Sequence, residues 1–211
     1  SNSLLDGFFV DLESGAYTML NDVFPPEFGF GPTRANDIND AGVVVGTRNG
    51  NYPVYFYGYV YSPSTGVQVL PFPGEPFQQA VQPLGINNAG TVVGEIYQAG
   101  SARAFAYTPA GGIRDLNNPT VVAGIPAGFT LMNAQKINDA GWIAGWGYGG
   151  GGMYKSFVLR PRLAGDVDSD GDVDLGDLTL LLSSFGLCNG DASYNAAADF
   201  DGSGCVELSD L

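Results

Sequence analysis

Histidine is absent from the 211 residues. That excludes Ser-His-Asp and Cys-His nucleophilic catalysis and every histidine-containing metal site. Bases are scarce: 8 Lys and Arg stand against 22 Asp and Glu, giving a formal net charge of −14. A surface of that sign repels a phosphate backbone, so nucleic acid is not an expected partner. No window approaches the roughly 18 apolar residues of a spanning helix, so no membrane span is expected. Only two cysteines occur, Cys188 and Cys205. They are either paired, closing a loop of about 18 residues worth about 3 kcal/mol, or two buried free thiols. Two cysteines without histidine do not complete a usual zinc site. Pairing would imply an oxidising, extracellular compartment. The chain opens on Ser1 without methionine or a signal segment, which reads as a processed or trimmed product.

What is abundant points elsewhere. The chain holds 32 Gly and 13 Pro with 45% hydrophobic residues. That combination suits many short strands joined by turns around a real core, rather than helices or disorder. Charge is unevenly placed. Residues 1–164 carry eleven acids and all eight bases, whereas residues 165–211 carry eleven acids and no Lys or Arg. The reading is a nearly neutral body, 1–163, followed by a strongly acidic module, 164–211.

The body repeats. NDINDAGVVVGT (36–47), PLGINNAGTVVGE (83–95) and AQKINDAGWIAGW (134–146) superimpose without gaps on Ile38, Ile86 and Ile137. Asn and Asp bond their own backbone, and Gly supplies positive φ, so each centre is a tight turn. The strand that follows contains an internal Gly, which signals a bulge or close packing. A second motif alternates with the first: FFVDLESGAYTML (8–20), YVYSPSTGVQVLP (59–71), FAYTPAGGIRDLN (105–117), and a lone FVLRPRL (157–163). Each complete copy reads as a hairpin. One unit is therefore about four short strands with a period near 50 residues, which predicts a propeller blade or a related radial β array. The lone FVLRP strand is expected either to pair with the first FFVDL strand, closing a ring, or to complete the sheet of a neighbouring copy. The repeat resembles the bacterial extracellular family named for a His-Ala-Phe signature, with Arg103-Ala104-Phe105 where that signature would stand. The resemblance covers roughly residues 8–160 and implies a secreted, propeller-like scaffold.

Six aspartates lie between Asp166 and Asp177. Their spacing fits a twelve-residue calcium loop: Asp166, Asp168 and Asp170 at positions 1, 3 and 5, Gly171 at the sharp turn, the Asp172 carbonyl at 7, Asp174 at 9 and Asp177 closing at 12. Val173 at position 8 is expected to face a partner loop. A second copy follows, with Asp199, Asp201, Ser203, Gly204, the Cys205 carbonyl, Glu207 and Asp210 in the same places and Val206 at position 8. It has fewer carboxylates and is expected to bind more weakly. Two Ca²⁺ ions are the expected cofactors. LTLLLSSFG after the first loop predicts a helix with Leu178, Leu181, Leu182 and Phe185 on an inward stripe.

Both loops close with Asp and neither follows a helix. In these respects residues 165–211 resemble the dockerin module of secreted bacterial proteins, and the cysteine-bearing linker resembles planctomycete-type versions. The sequence ends at Leu211, before the second helix that the resemblance implies. It also implies partner contact at loop positions 10 and 11, here Leu175-Gly176 and Leu208-Ser209. The expected class is thus mainly β: a propeller-like array of about three four-stranded repeats plus a small α/loop dockerin-like module. The expected function is an extracellular, non-enzymatic structural or adhesion protein that assembles, in fibres or a surface layer, through copies of itself. The alternative is a carbohydrate-binding subunit, with Trp142, Trp146 and nearby tyrosines against sugar rings, that docks on a cohesin-like scaffold. The body glutamates Glu13, Glu27, Glu75 and Glu95 lie in no catalytic motif, so no catalytic residues are expected.

Overall fold

The computed structural model describes residues 7–25, 31–50, 54–72, 79–98, 100–149, 151–161, 163, 165–168, 170 and 172–211. The chain separates into two compact units, Ser1–Arg160 and Pro161–Leu211. The first is all β. It opens with a hairpin of β1 (Phe8–Val10) and β2 (Tyr17–Met19) and a 3-10 turn at Leu20–Val23. The first repeat supplies β3 (Thr33–Ile38), β4 (Val44–Asn49), β5 (Val54–Ser62) and β6 (Gly66–Val69). The second supplies β7 (Gln79–Ile86), β8 (Val92–Gln98), β9 (Ser101–Thr108) and β10 (Gly112–Asp115). The third has β11 (Phe129–Ile137), β12 (Ile143–Gly149) and β13 (Met153–Leu159), after which the chain leaves the body.

The repeats do not form three separate blades. β5 also pairs in parallel with β7, so the first two repeats merge into one eight-stranded sheet. β11–β12–β13 form a second sheet and β1–β2 a third, and among the described residues none closes on itself. β13 pairs with β12, and β1 with β2, but neither pairs with the other among the described residues.

The internal glycines have a definite cause. Gly46, Gly94 and Gly145 lie opposite Tyr59, Phe105 and Phe157 on the next strand. A Cβ on Gly46 would come within 2.6 Å of the Tyr59 phenol, one on Gly94 within 2.8 Å of the Phe105 ring, and one on Gly145 within 2.6 Å of the Phe157 ring. Each would also collide with a carbonyl on the preceding strand, at Arg34, Gln82 and Asn133 respectively. The preceding strand shifts register beside each glycine, as a bulge does. Aromatic rings thereby settle against the glycine backbone, and Tyr59 and Phe105 are fully buried. Burial also drives the Tyr59 phenol well above its usual pKa. Three apolar clusters follow, centred on Val45, Val81 and Phe105, on Val93, Leu131 and Ala134, and on Leu20, Val44 and Tyr59. The buried Arg48 guanidinium stacks 4.6 Å over the Phe24 ring.

Successive repeats are joined by their turns. Asn39 Oδ1 accepts the Ala41 and Val43 amides and thereby holds its own turn. Its Nδ2 instead donates to the Asn87 carbonyl of the next repeat at 3.1 Å. Asn87 repeats the arrangement, capping Thr91 and donating to the Asn138 carbonyl at 3.1 Å. In parallel, the Asp40 amide donates to Asn88 Oδ1, and the Asn88 amide to Asp139 Oδ1. The Asn88 amide group sits between the carboxylates of Asp40 and Asp139. These form a ladder of three rungs.

Candidate metal centre

The second unit is organised around its carboxylates. α1 (Leu175–Ser184) starts where Asp174 caps the Gly176 amide at 2.6 Å, and Asp177 returns a bond to the Asp174 amide. Asp177 does more than cap. Its Oδ1 accepts the Val167 and Asp168 amides at 2.6 and 3.2 Å, and its Oδ2 the Asp174 amide at 2.8 Å. Asp210 does the same in the second loop, with Phe200 and Asp201 at 2.6 and 3.2 Å and Glu207 at 2.8 Å. The closing aspartate therefore ties the entry and exit of both loops in one geometry.

Three carboxylate groups converge. Asp166, Asp168 and Asp177 each bring an oxygen within 4.8 Å of the others. Asp172, Asp174 and Asp177 form a second set, and Asp199, Asp201 and Asp210 a third. Asp170 and Glu207 belong to none of these groups. Asp170 receives the Asp172 amide and donates its own amide to Asp168. Ser203 bonds the Cys205 carbonyl through its hydroxyl at 3.1 Å. Gly171 lies outside the described residues, as do Glu27 and Glu75. Cys188 and Cys205 are joined by a disulfide, which places the second loop beside the end of α1.

The electrostatics are lopsided. The Asp174 amide, followed by those of Asp168 and Val167, holds Asp177 below the usual carboxylate range. Asp168 accepts the Asp170 amide, which lowers it, yet desolvation and the charges of Asp170, Asp177 and Asp166 together leave it raised. Asp172 is raised chiefly by the charge of Asp170. Ser209 is the main cause of a lowered Asp201. Asp166, Asp177 and Asp210 are only 2%, 2% and 4% exposed. No Lys or Arg occurs in residues 165–211 to neutralise them. Buried carboxylates need a compensating charge, and an oxygen-only donor set suits a hard divalent cation such as Ca²⁺. The residues fit that ion.

The packing departs from expectation at two points. The buried face of α1 is Asp177, Leu181 and Ser184, while Leu178, Leu182 and Phe185 are exposed. The cause is Asp177: once its carboxylate faces the loop amides, the helix rotation is set and only Leu181 of that stripe points inward. Likewise Val206 is fully buried with Val167, Leu181 and Ala198, whereas Val173, its counterpart, is exposed. Leu175, Gly176, Leu208 and Ser209 all lie on the surface. Tyr194 is a participant that sequence patterns do not reveal. Its hydroxyl donates to Asp199 Oδ2 at 2.6 Å, and that bond above all pushes its pKa up to about 12. It stands outside the loop, so no spacing rule points to it.

No known family matches the sequence, and no curated protein matches it. No helix among the described residues is long and apolar enough to cross a membrane.

Proposed function

We propose that this is an extracellular, non-enzymatic structural or adhesion protein that assembles through its acidic module, loaded with Ca²⁺ and docked on a neighbouring copy. The single observation that carries the reading is the matched pair of loops, each closed by a buried Asp with the same three amide contacts at the same distances. Asp166, Asp168, Asp170, Asp174 and Asp177, with the Asp172 carbonyl, would hold the first ion. Asp199, Asp201, Ser203, Glu207 and Asp210, with the Cys205 carbonyl, would hold the second. The bound ion would supply positive charge that neutralises the loop and couples binding to folding. In this reading the module is dockerin-like and the body a propeller-like repeat scaffold of the His-Ala-Phe type. The exposed apolar stripe of Leu175, Leu178, Leu182 and Phe185 supports docking, because such a stripe needs a cover. The disulfide supports an oxidising compartment.

Calorimetric calcium titration of the wild type and Asp177→Ala tests the site. The variant is expected to lose at least about tenfold in affinity and the calcium-induced helix signal. An unchanged isotherm would remove the reading. Sedimentation in millimolar calcium, and again with chelator, tests assembly. Large species that dissolve on chelation are expected.

A second reading has its own observation. Tyr148 and Tyr154 are exposed with ring centroids 5.2 Å apart, and Trp146 meets Tyr154 at 5.4 Å. Such an aromatic shelf suits sugar rings, and with a cohesin-like partner for the module it would make the chain a carbohydrate-binding subunit. Intrinsic fluorescence quenching by oligosaccharides would separate the two.

A further inference from the structure

We propose that the body itself binds a second copy of the chain end to end, by adding that copy's first rung to the turn ladder after the third. The residues of this surface belong to the body, and the contact needs no calcium. The argument begins with polarity. In the asparagine row each rung donates to the next repeat and accepts from the previous one: Asn39 Nδ2 to the Asn87 carbonyl, Asn87 Nδ2 to the Asn138 carbonyl. The carboxylates of the first repeat take bonds in the other sense, Asp40 from Asn88 Nδ2 and Asp37 from the Ile86 amide. The turn amides of Asp40 and Asn88 run with the asparagine row, from Asp40 to Asn88 and from Asn88 to Asp139. The last rung has its donors left over. Asn138 Oδ1 caps Trp142, but its Nδ2 donates to nothing among the described residues, and the residue is exposed. The first rung has acceptors left over, since the Asn39 carbonyl receives only its own Gly42 amide among the described residues.

The flanking positions agree. In the first junction Asn36 Nδ2 donates to the Pro83 carbonyl at 2.6 Å. The equivalents at the free ends are Gln135, an exposed side-chain donor, and Ala35, also exposed. Burial shows what a junction does: Ile86, between the first and third repeats, is 5% exposed, while Ile38, with no earlier rung among the described residues, is 55% exposed. The ladder also spans more than nearest neighbours, because Lys136 reaches past Gly85 to Asp37 of the first repeat at 3.1 Å. Three rungs therefore align as one polar stack with complementary ends. A second copy placed head to tail would repeat an interface the chain already uses twice. That joint is heterologous, so it generates a ring if its rotation closes and a filament if it does not.

The same joint brings together two pieces of the body that have free strand edges among the described residues. There, β13 pairs only with β12, without the counterpart of β6 and β10, and β1 and β2 pair only with each other. The hairpin already sits at the head, with the Gly7 amide bonded to the Thr33 carbonyl. Both β13 and β1 carry the third-strand motif, so this joint holds one strand more than an internal one.

The test is sedimentation of the whole chain in chelator over a range of concentrations, which takes the calcium module out of play. Ile38→Lys blocks the head and Gln135→Lys the tail, and both alter exposed side chains. The wild type should form species that grow with concentration, and each variant alone should stay monomeric at an unchanged unfolding temperature. A mixture of the two variants should give dimers and nothing larger, joined through the intact tail of one and the intact head of the other. A wild type that stays monomeric in chelator, variants that assemble like it, or a mixture without dimers would overturn the proposal. Assembly that needs calcium and ignores both substitutions would leave the calcium reading standing and this one refuted.

Discussion

Gly94 shows how a single missing side chain organises a strand. Its absent Cβ leaves room for the Phe105 ring and for the Gln82 carbonyl of the bulged strand. Gly94→Ala is expected to cost about 1–3 kcal/mol through overpacking, seen as a lowered thermal midpoint. An unchanged midpoint would mean that the ring does not lie against the backbone there. The internal glycine was readable as a sign of close packing. Its partner was not, because Phe105 belongs to the other sequence motif and meets Gly94 only through strand pairing. Asp177 is the converse case. Its place at position 12 is plain from spacing, yet its bonds to Val167 and Asp168 exist only once the loop has closed.

Helix α1 illustrates how one contact overrides a pattern. The leucines of LTLLLSSFG predict an inward stripe of Leu178, Leu181, Leu182 and Phe185. The carboxylate of Asp177 sets the rotation so that, of these four, only Leu181 is buried. Leu181→Ala is expected to destabilise the module by about 2–4 kcal/mol through cavity formation. Leu182→Ala, at 55% exposure, should cost well under about 1 kcal/mol. Chelator-free thermal melts of the two variants check the pair, and equal losses would contradict the assigned rotation. Among the strands, existence and type were legible from turn chemistry and alternation. The parallel pairing of β5 with β7 was not, since it joins Val54 and Phe56 to Gln79 and Ala80 across a connection with no pattern of its own.

Taken as one polymer, the chain concentrates its unbalanced charge at one end, and its stability without metal should depend on pH in two opposite senses. Asp168 and Asp172 have raised pKa values in the folded state, so they penalise folding above those values. The penalty fades as pH falls towards the ordinary carboxylate value of about 4. Asp177 has a lowered value, so its contribution is present above about pH 4 and is lost as pH falls further. In chelator, the module's thermal midpoint is therefore expected to rise from pH 7 to a maximum near about pH 4 and then fall. A midpoint that only decreases on acidification would show that repulsion among the loop carboxylates is not felt.

The sequence alone determined the repeats, the hairpins, the two acidic loops with their closing aspartates, and the separation into a neutral body and an acidic module. All of these are written within a few consecutive residues, where turn chemistry, alternation and carboxylate spacing act locally. Tertiary structure decided the rest. It chose which face of α1 is buried, put Val206 inside and left Val173 outside, added Tyr194 to Asp199, merged two repeats into one sheet, and stacked Asn39, Asn87 and Asn138 into a ladder. Those outcomes depend on groups brought together by the packed chain, up to 51 residues apart in the ladder. Burial and hydrogen-bond satisfaction are properties of that assembled neighbourhood, which no local pattern specifies.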